Sequence, residues 1–393
     1  MTTRLYYTDA YLASFRSPVV DQDADGLRVY LERTAFYPTS GGQPHDLGTL
    51  DGIAIVDVVD EGDRIAHLLD APLARRTEEV AGQVDWQRRF DHMQQHTGQH
   101  LLSAVLAELF GYQTVSVHFG RDYSSLDLDV ATVGADQLAR AEARANEIVW
   151  ENRPVTVSFE DAATAAGLRK ESGREGTLRV VTIDGLDRSA CGGTHVRTTG
   201  EIGAILLRKQ EKVRKAARIE FVCGARAIAR ARADFESLSR IAASLSASLE
   251  DAPSLVAAQR EQLQALEAEK RRLEREVAGQ RARELYEATA PGSDGVRIAV
   301  VRRETGAMDE VRPLAQAFIG LPRAAFVAAV SGSQPPALLL ATSEDSGIDA
   351  GRTLRDALAT AGGRGGGSPR LAQGSVPDLD GLDRVVTAVT RGR

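Results

Sequence analysis

The hydrophobic period changes repeatedly along this chain, and no single architecture satisfies all of its periods. Through residue 85 short apolar runs alternate with turn residues, as in VDQDADGLRVYLER, GTLDGIAIVDVVDEGD and AHLLDAPLA. That spacing predicts a small antiparallel sheet or barrel over residues 1–85. From Trp86 the period becomes helical, in DWQRRFDHMQQHTGQHLLSAVLAELFG, with Gly111 placed as a C-cap. VSVHF, SLDLDV, the helical ADQLARAEARANEIVWEN, VTVSF, TLRVVTI and AILLRK follow, which makes residues 86–222 an α+β core. Residues 225–290 are helical on both sides of Asp251-Ala252-Pro253, with Pro253 opening the second helix. There Val256, Leu263, Leu266, Leu273 and Val277 fall near heptad core positions, while Gln259 and Lys270 interrupt the seam. A short helical hairpin or coiled coil is expected, as a spacer or a dimerisation arm. Over 291–393, VRIAVV, AAFVAAV and ALLLAT alternate with helical stretches, which predicts an α/β domain with a mostly parallel sheet. At 393 residues, a division into two or three domains is expected in any case.

Composition narrows the class. The chain is 43% hydrophobic and 26% charged, as soluble folded proteins are, and no apolar run reaches the roughly 18 residues of a membrane span. Its first residues lack the basic-then-apolar order of a secretory signal. Two cysteines, Cys191 and Cys223, make no disulfide framework, and a cytoplasmic setting is expected. A net charge of −7 argues against general nucleic-acid binding. Locally, however, Arg208, Lys209, Lys212, Arg214, Lys215 and Arg218 face one acid, Glu211. Such a patch is either a solvated surface or a phosphate contact.

Chemistry concentrates in two short motifs. His96 and His100, at i and i+4, share one helical face and can reach one ion. Cys191-Gly192-Gly193-Thr194-His195 follows the strand RVVTID, and its glycines permit a tight loop with both donors turned inward. Four soft or borderline donors in two pairs suit zinc better than magnesium or calcium, so one Zn²⁺ per chain is expected. His92 lies one turn before His96 and is read as a neighbour of the site. The glutamate of a helical protease motif is missing, since Thr97 occupies its position. Cys223 reads as a small buried residue. The glycines of 362–367 are either a flexible linker or an anion surface; no phosphate-loop fingerprint accompanies them, and ATP binding is not expected.

FYPTSGGQPHDLG, HMQQHTGQHLLSAV and DRSACGGTHV, in this order, resemble the editing domain of alanyl-tRNA synthetases and its free-standing AlaX relatives. The tail with GGRGGGSPRLAQGS resembles the DHH-associated domain that ends the synthetase and the long-form AlaX proteins. The resemblance implies a trans-editing deacylase for tRNA(Ala) mischarged with serine or glycine, with no aminoacylation domain before it. It implies His96, His100, Cys191 and His195 as metal ligands. Gln43 and Thr97 would take part in catalysis, and Thr39, Ser40, Gly41, Gly42 and Gln43 would meet the amino acid. The basic segment would hold tRNA, and the helices or the C-terminal domain would pair two copies. Four protein ligands make a closed site, whereas catalytic zinc usually keeps one position open. A zinc-stabilised tRNA-binding protein without catalysis is the alternative.

Overall fold

In the computed structural model, which describes every residue except 75–77, 171, 172, 174, 392 and 393, the alternating segments at the start of the chain close into a barrel. The strands are β1 (Thr3–Arg4), β2 (Ser14–Gln22), β3 (Arg28–Leu31), β4 (Arg33–Thr34), β5 (Gly48–Leu50), β6 (Ile53–Asp60), β7 (Ile65–Leu69) and β8 (Glu79–Val84). The barrel runs β2-β3-β7-β6-β5 and closes through β8 on β2, while β1 and β4 form a parallel pair. Val29, Leu31, Phe36, Leu50, Val58, Ile65 and Val80 fill its interior and are wholly buried. Each contributes about 1.5–3 kcal/mol by leaving water. Gly82 makes room for Phe15, whose ring would stand 2.3 Å from a Cβ there.

Asp85 caps the helix that follows, α1 (Trp86–Phe110), by accepting from the Arg88 amide; Gly111 ends it at φ 74°, as its sequence position predicts. From His92 to Leu106 every α1 residue is buried, histidines and glutamines included. The helix therefore runs through the core. Around it lie β9 (Thr114–Phe119), β10 (Ser124–Leu128), α2 (Ala135–Glu151), β11 (Val155–Asp161), β12 (Thr177–Ile183), β13 (Asp187–Ala190), β14 (Ile205–Val213), β15 (Ala216–Cys223) and α3 (Gly224–Ser244). Two antiparallel sheets result, β14-β15-β10-β9 and β11-β12-β13, so β9 and β13 are edge strands. The sequence reading missed β13, which stands between RVVTI and the CGGTH loop. A buried pair locks α1 in place: Arg89 donates to both oxygens of Asp46 and to the carbonyls of Ala10 and Ala35, with neither side chain exposed. This compact unit spans Met1–Ile241.

The second unit, Ala242–Arg393, contains α4 (Ala252–Ala288), β16 (Arg297–Arg303), α5 (Met308–Phe318), β17 (Ala324–Val330), β18 (Ala337–Thr342), α6 (Ala350–Thr360), β19 (Arg364–Gly367), β20 (Leu371–Ser375) and α7 (Leu379–Thr390). Pro253 lies in the first turn of α4, as expected. Leu263, Leu266, Leu273 and Val277 of the heptad seam are exposed on it. The sheet, β16-β17-β18-β20-β19, corrects the expectation of mostly parallel strands: β16–β17 alone is parallel. The connections β17–β18 and β19–β20 are too short for the crossover that a parallel pair needs. The glycine run is a strand as well. A Cβ at Gly365 would stand 2.7 Å from Leu358 of α6, and one at Gly351 would stand 2.8 Å from the Gly367 carbonyl. Glycine there lets helix and strand approach closely. Among the described residues no helix is long and apolar enough to cross a membrane.

Candidate metal centre

Helix α1 and the loop after β13 bring four donors together. The donor atoms of His96, His100, Cys191 and His195 all lie within 4.8 Å of one another, and this His/Cys cluster could hold a metal ion. The i, i+4 spacing places the two α1 rings 5.2 Å apart, and His195 sits 4.4 Å from His96 and 4.8 Å from His100. Cys191 Sγ is 3.4 Å from His96 Nε2 and 3.3 Å from His195 Nε2. Arg179 holds the loop by donating to the Cys191 carbonyl at 2.7 Å. Gly193 permits the close approach, because a Cβ there would stand 2.2 Å from the His96 ring.

Each histidine is held at its other nitrogen. His96 Nδ1–H donates to Gln43 Oε1 at 2.8 Å, and the rest of the Gln43 amide is engaged with Thr194, whose amide donates to it and whose hydroxyl accepts from it. His195 Nδ1 meets Thr97 Oγ1 at 3.2 Å, an oxygen that also accepts from the Val196 amide. His100 Nδ1–H donates to Asp187 at 3.0 Å, and Asp187 further accepts from Arg169 Nε at 2.7 Å and from the Ser189 hydroxyl. Partners of this kind fix the tautomer and leave Nε2 free to bind. They also set the charges. Burial pulls the His100 ring down, but the hydrogen bond to Asp187, aided by Cys191, outweighs it and carries the ring up to about 9. Burial and the neighbouring His96 lower His195 to about 3. Burial alone would raise the Cys191 thiol, yet His96 and His195 hold it well below its ordinary value. Without an ion the arrangement favours a Cys191 thiolate beside a protonated His100, and a cation bound there would take the place of the His100 Nε2 proton.

The cluster opens into a cleft of about 570 Å³. Its lining includes Tyr7, Tyr37, Ser40 and Gly41, parts of the edge strands β9 and β13, and the charged Arg4, Asp60, Arg169 and Lys170. The SGGQ segment is a two-residue turn, closed by reciprocal Ser40–Gln43 backbone bonds with Gly41 at φ 58° and Gly42 at φ 86°. Positive φ at both central residues suits glycine. This turn exposes Ser40 and Gly41 to the cleft and sends Gln43 inward, where it is 1% exposed. Gln43 and Thr97, expected to act on substrate, instead have their side chains turned to His96 and His195. Thr39 is turned away, bonded to His45. Gly42 lies near Phe119 and Val117. His92 is buried beside Arg88, Asp46 and Arg226 and stands outside the cluster, its Nδ1 without a hydrogen-bond partner among the described residues. Cys223 is buried against Gly98, and burial pushes its thiol well up.

Half of the basic segment is already neutralised. Arg208 pairs with Asp234, Lys209 with Glu211 and Arg218 with Asp127. Lys212, Arg214 and Lys215, at the tip of the β14–β15 hairpin, are exposed and make no ion pair among the described residues. Val115 of β9 lines both the metal cleft and a groove containing Arg214, Lys215 and Arg218. Sequence reasoning missed Asp187, Thr194 and Arg169. The first two flank Cys191 closely enough to be found by asking what orients each ligand; Arg169 carries no such signal.

Residues 178–219, which carry β13 and the CGGTH loop, match the family described as "Threonyl and Alanyl tRNA synthetase second additional domain". A Pyrococcus horikoshii protein named "Alanyl-tRNA editing protein AlaX-L" is 31% identical over 395 residues, covering 96% of this chain and 95% of its own. This chain belongs to the AlaX-L family. The AlaX-L match takes in both compact units. An "Alanine--tRNA ligase" of Korarchaeum cryptofilum is 34% identical over 97% of this chain, and "Alanyl-tRNA editing protein Aarsd1" of Bos taurus is 41% identical over 48% of it. The matched region spans 44% of the length of each of these two. A solved structure, the C-Ala domain from Aquifex aeolicus alanyl-tRNA synthetase, aligns with 26% of this chain and 96% of its own, at 19% identity and a TM-score of 0.24.

Proposed function

We propose that this chain is an aminoacyl-tRNA deacylase that removes serine or glycine from mischarged tRNA(Ala), with one Zn²⁺ held by His96, His100, Cys191 and His195. The observation that carries the reading is the convergence of these four donors, each imidazole held at Nδ1 and three of the donors lining an open cleft, in an AlaX-L family chain. The spacing of Cys191 from two of the imidazoles fits the ion. Tetrahedral zinc with bonds of about 2.0–2.3 Å sets its donors roughly 3.3–3.6 Å apart. Cys191 Sγ stands 3.4 and 3.3 Å from two Nε2 atoms, and the cysteine–histidine chemistry suits zinc over harder cations.

Bound there, zinc would polarise the ester carbonyl or lower the pKa of a water. The chain supplies the rest. Ser40 and Gly41 meet the amino acid, and the Ser40 hydroxyl offers a partner to a serine side chain that alanine would leave unpaired. Gln43 and Thr97 act one step back, as positioning residues for His96 and His195. Lys212, Arg214 and Lys215 contact tRNA phosphates, which positions the acceptor end without reading bases. Residues 1–85, 86–222, 225–290 and 291–393 serve as barrel, editing core, helical hairpin and DHH-associated domain. The exposed seam of α4 pairs two copies, and the free cysteines suit a cytoplasmic setting.

The test is deacylation of Ser-tRNA(Ala), Gly-tRNA(Ala) and Ala-tRNA(Ala) by the zinc-loaded protein and by a His100→Ala, Cys191→Ala variant. Loss of serine or glycine with alanine spared, abolished in the variant, is the expected outcome. Binding of tRNA without cleavage would replace this reading with a zinc-stabilised tRNA-binding protein.

A further inference from the structure

The four charged side chains of the metal cleft are not equivalent. Arg4 and Asp60 form a closed pair: the two guanidinium Nη atoms donate to the two carboxylate oxygens at 2.7 and 2.8 Å. The remaining Nη protons of Arg4 go to the Tyr7 hydroxyl and the Gly62 carbonyl. Arg169 is anchored but unfinished. Its Nε donates to Asp187 at 2.7 Å and its Nη2 to Ser189 at 3.2 Å, while Nη1 has no hydrogen-bond partner among the described residues. Beside it Lys170 is exposed and makes no ion pair among the described residues.

An oriented guanidinium with one free edge, next to a free ammonium, is a ready anion subsite. The Arg4–Asp60 side of the lining is neutral overall, and its carboxylate would repel an anion. The volume matters too. About 570 Å³ is within the range of sites for drug-sized ligands and exceeds what a two- or three-carbon amino acid needs. The cleft has room for more than the amino acid, and what is attached to it in an aminoacyl ester of RNA is a nucleoside carrying a 5′-phosphate.

We propose that Arg169 and Lys170 hold the 5′-phosphate of the 3′-terminal nucleotide while its ester lies over the metal cluster. The inference rests on the deacylase reading and adds the groups that set the depth and direction of the nucleotide in the cleft. Arg169 also ties this subsite to the metal ligands, because the Asp187 carboxylate that anchors it accepts from His100. Lys170 has no such structural duty and is the cleaner probe.

The experiment measures KM of the full zinc-loaded chain for two small substrates, the seryl ester of adenosine and that of adenosine 5′-monophosphate. In the wild type the phosphate should lower KM about tenfold. Lys170→Gln should erase most of that gain, Lys170→Glu should reverse it, and Lys170→Arg should restore it. A wild type indifferent to the phosphate, or a Lys170→Gln variant whose two KM values rise together, overturns the proposal. If the wild type cleaves neither ester, the deacylase reading fails instead, and the subsite is then judged by calorimetry. Tighter binding of adenosine 5′-monophosphate than of adenosine, lost in Lys170→Gln, supports it; equal binding in the wild type overturns it.

Discussion

Three histidines and a cysteine form the centre here, but the side chains behind them decide how they point. Gln43, Thr97 and Asp187 each occupy one Nδ1, and Gly193 supplies the room in which His96 can turn. Gly193→Ala is expected to push His96 off its position and lower zinc affinity roughly 10–100-fold, the scale of losing a supporting contact. Titration against a competing chelator checks this; unchanged affinity would mean that the ring has other room. The four donors were legible in the sequence because helical spacing alone places His96 over His100, and the Cys191–His195 loop repeats that spacing with glycines. Roles behind the donors were not legible. Gln43 sits in a motif that reads as a substrate loop, and only the tight turn at Gly41 and Gly42 reveals that its side chain points inward. Asp187 depends on the register of β13, a strand of four residues with no apolar alternation to announce it.

At the scale of elements, the barrel carries its own acid lability. His67 of β7 is wholly buried, donates from Nδ1 to the Val29 carbonyl and meets Thr34 through Nε2. Burial lowers its pKa from 6.5 to about 4. The folded state therefore keeps His67 neutral where the unfolded chain takes up a proton. Stability from this group is full above pH 6.5 and is lost as the pH falls from 6.5 toward 4, by about 3 kcal/mol at most. Urea unfolding of the wild type and of His67→Gln at pH 7 and pH 4.5 measures it. The wild type should lose more than the variant over that interval, and equal losses would refute the assignment. Long periodic elements such as α1 and α4 were legible from pattern, down to the Gly111 cap. The glycine strand β19 was not, because glycine gives no periodicity; its identity comes from α6 packed against it.

At the scale of the whole molecule, a chain of net charge −7 is expected to bind RNA through a few well-placed cations. Arg208, Lys209 and Arg218 are held in ion pairs, and on the proposed reading Lys212, Arg214 and Lys215 are the cations that meet phosphates. Replacing these three with glutamine should weaken tRNA binding and reduce the slope of log affinity against log salt by about 2–3, each lost phosphate contact being worth roughly 0.7–0.9. Filter binding across a salt series reads it, and an unchanged slope would move the RNA surface elsewhere. The sheet of the second unit was legible as alternating strands and helices but not in its direction, since short connections such as that between β17 and β18 decide that.

The two halves of the metal centre come from opposite ends of a long excursion of chain, with His100 and Cys191 separated by roughly ninety residues. A link across a loop of that length confines the unfolded chain strongly; a disulfide of similar span is worth about 4–5 kcal/mol in the chain-entropy picture. An ion taken up by the four donors would act as such a staple in addition to any chemistry it supplies. On the proposed zinc reading, the stability of the first unit would then rise with metal supply and fall under chelation.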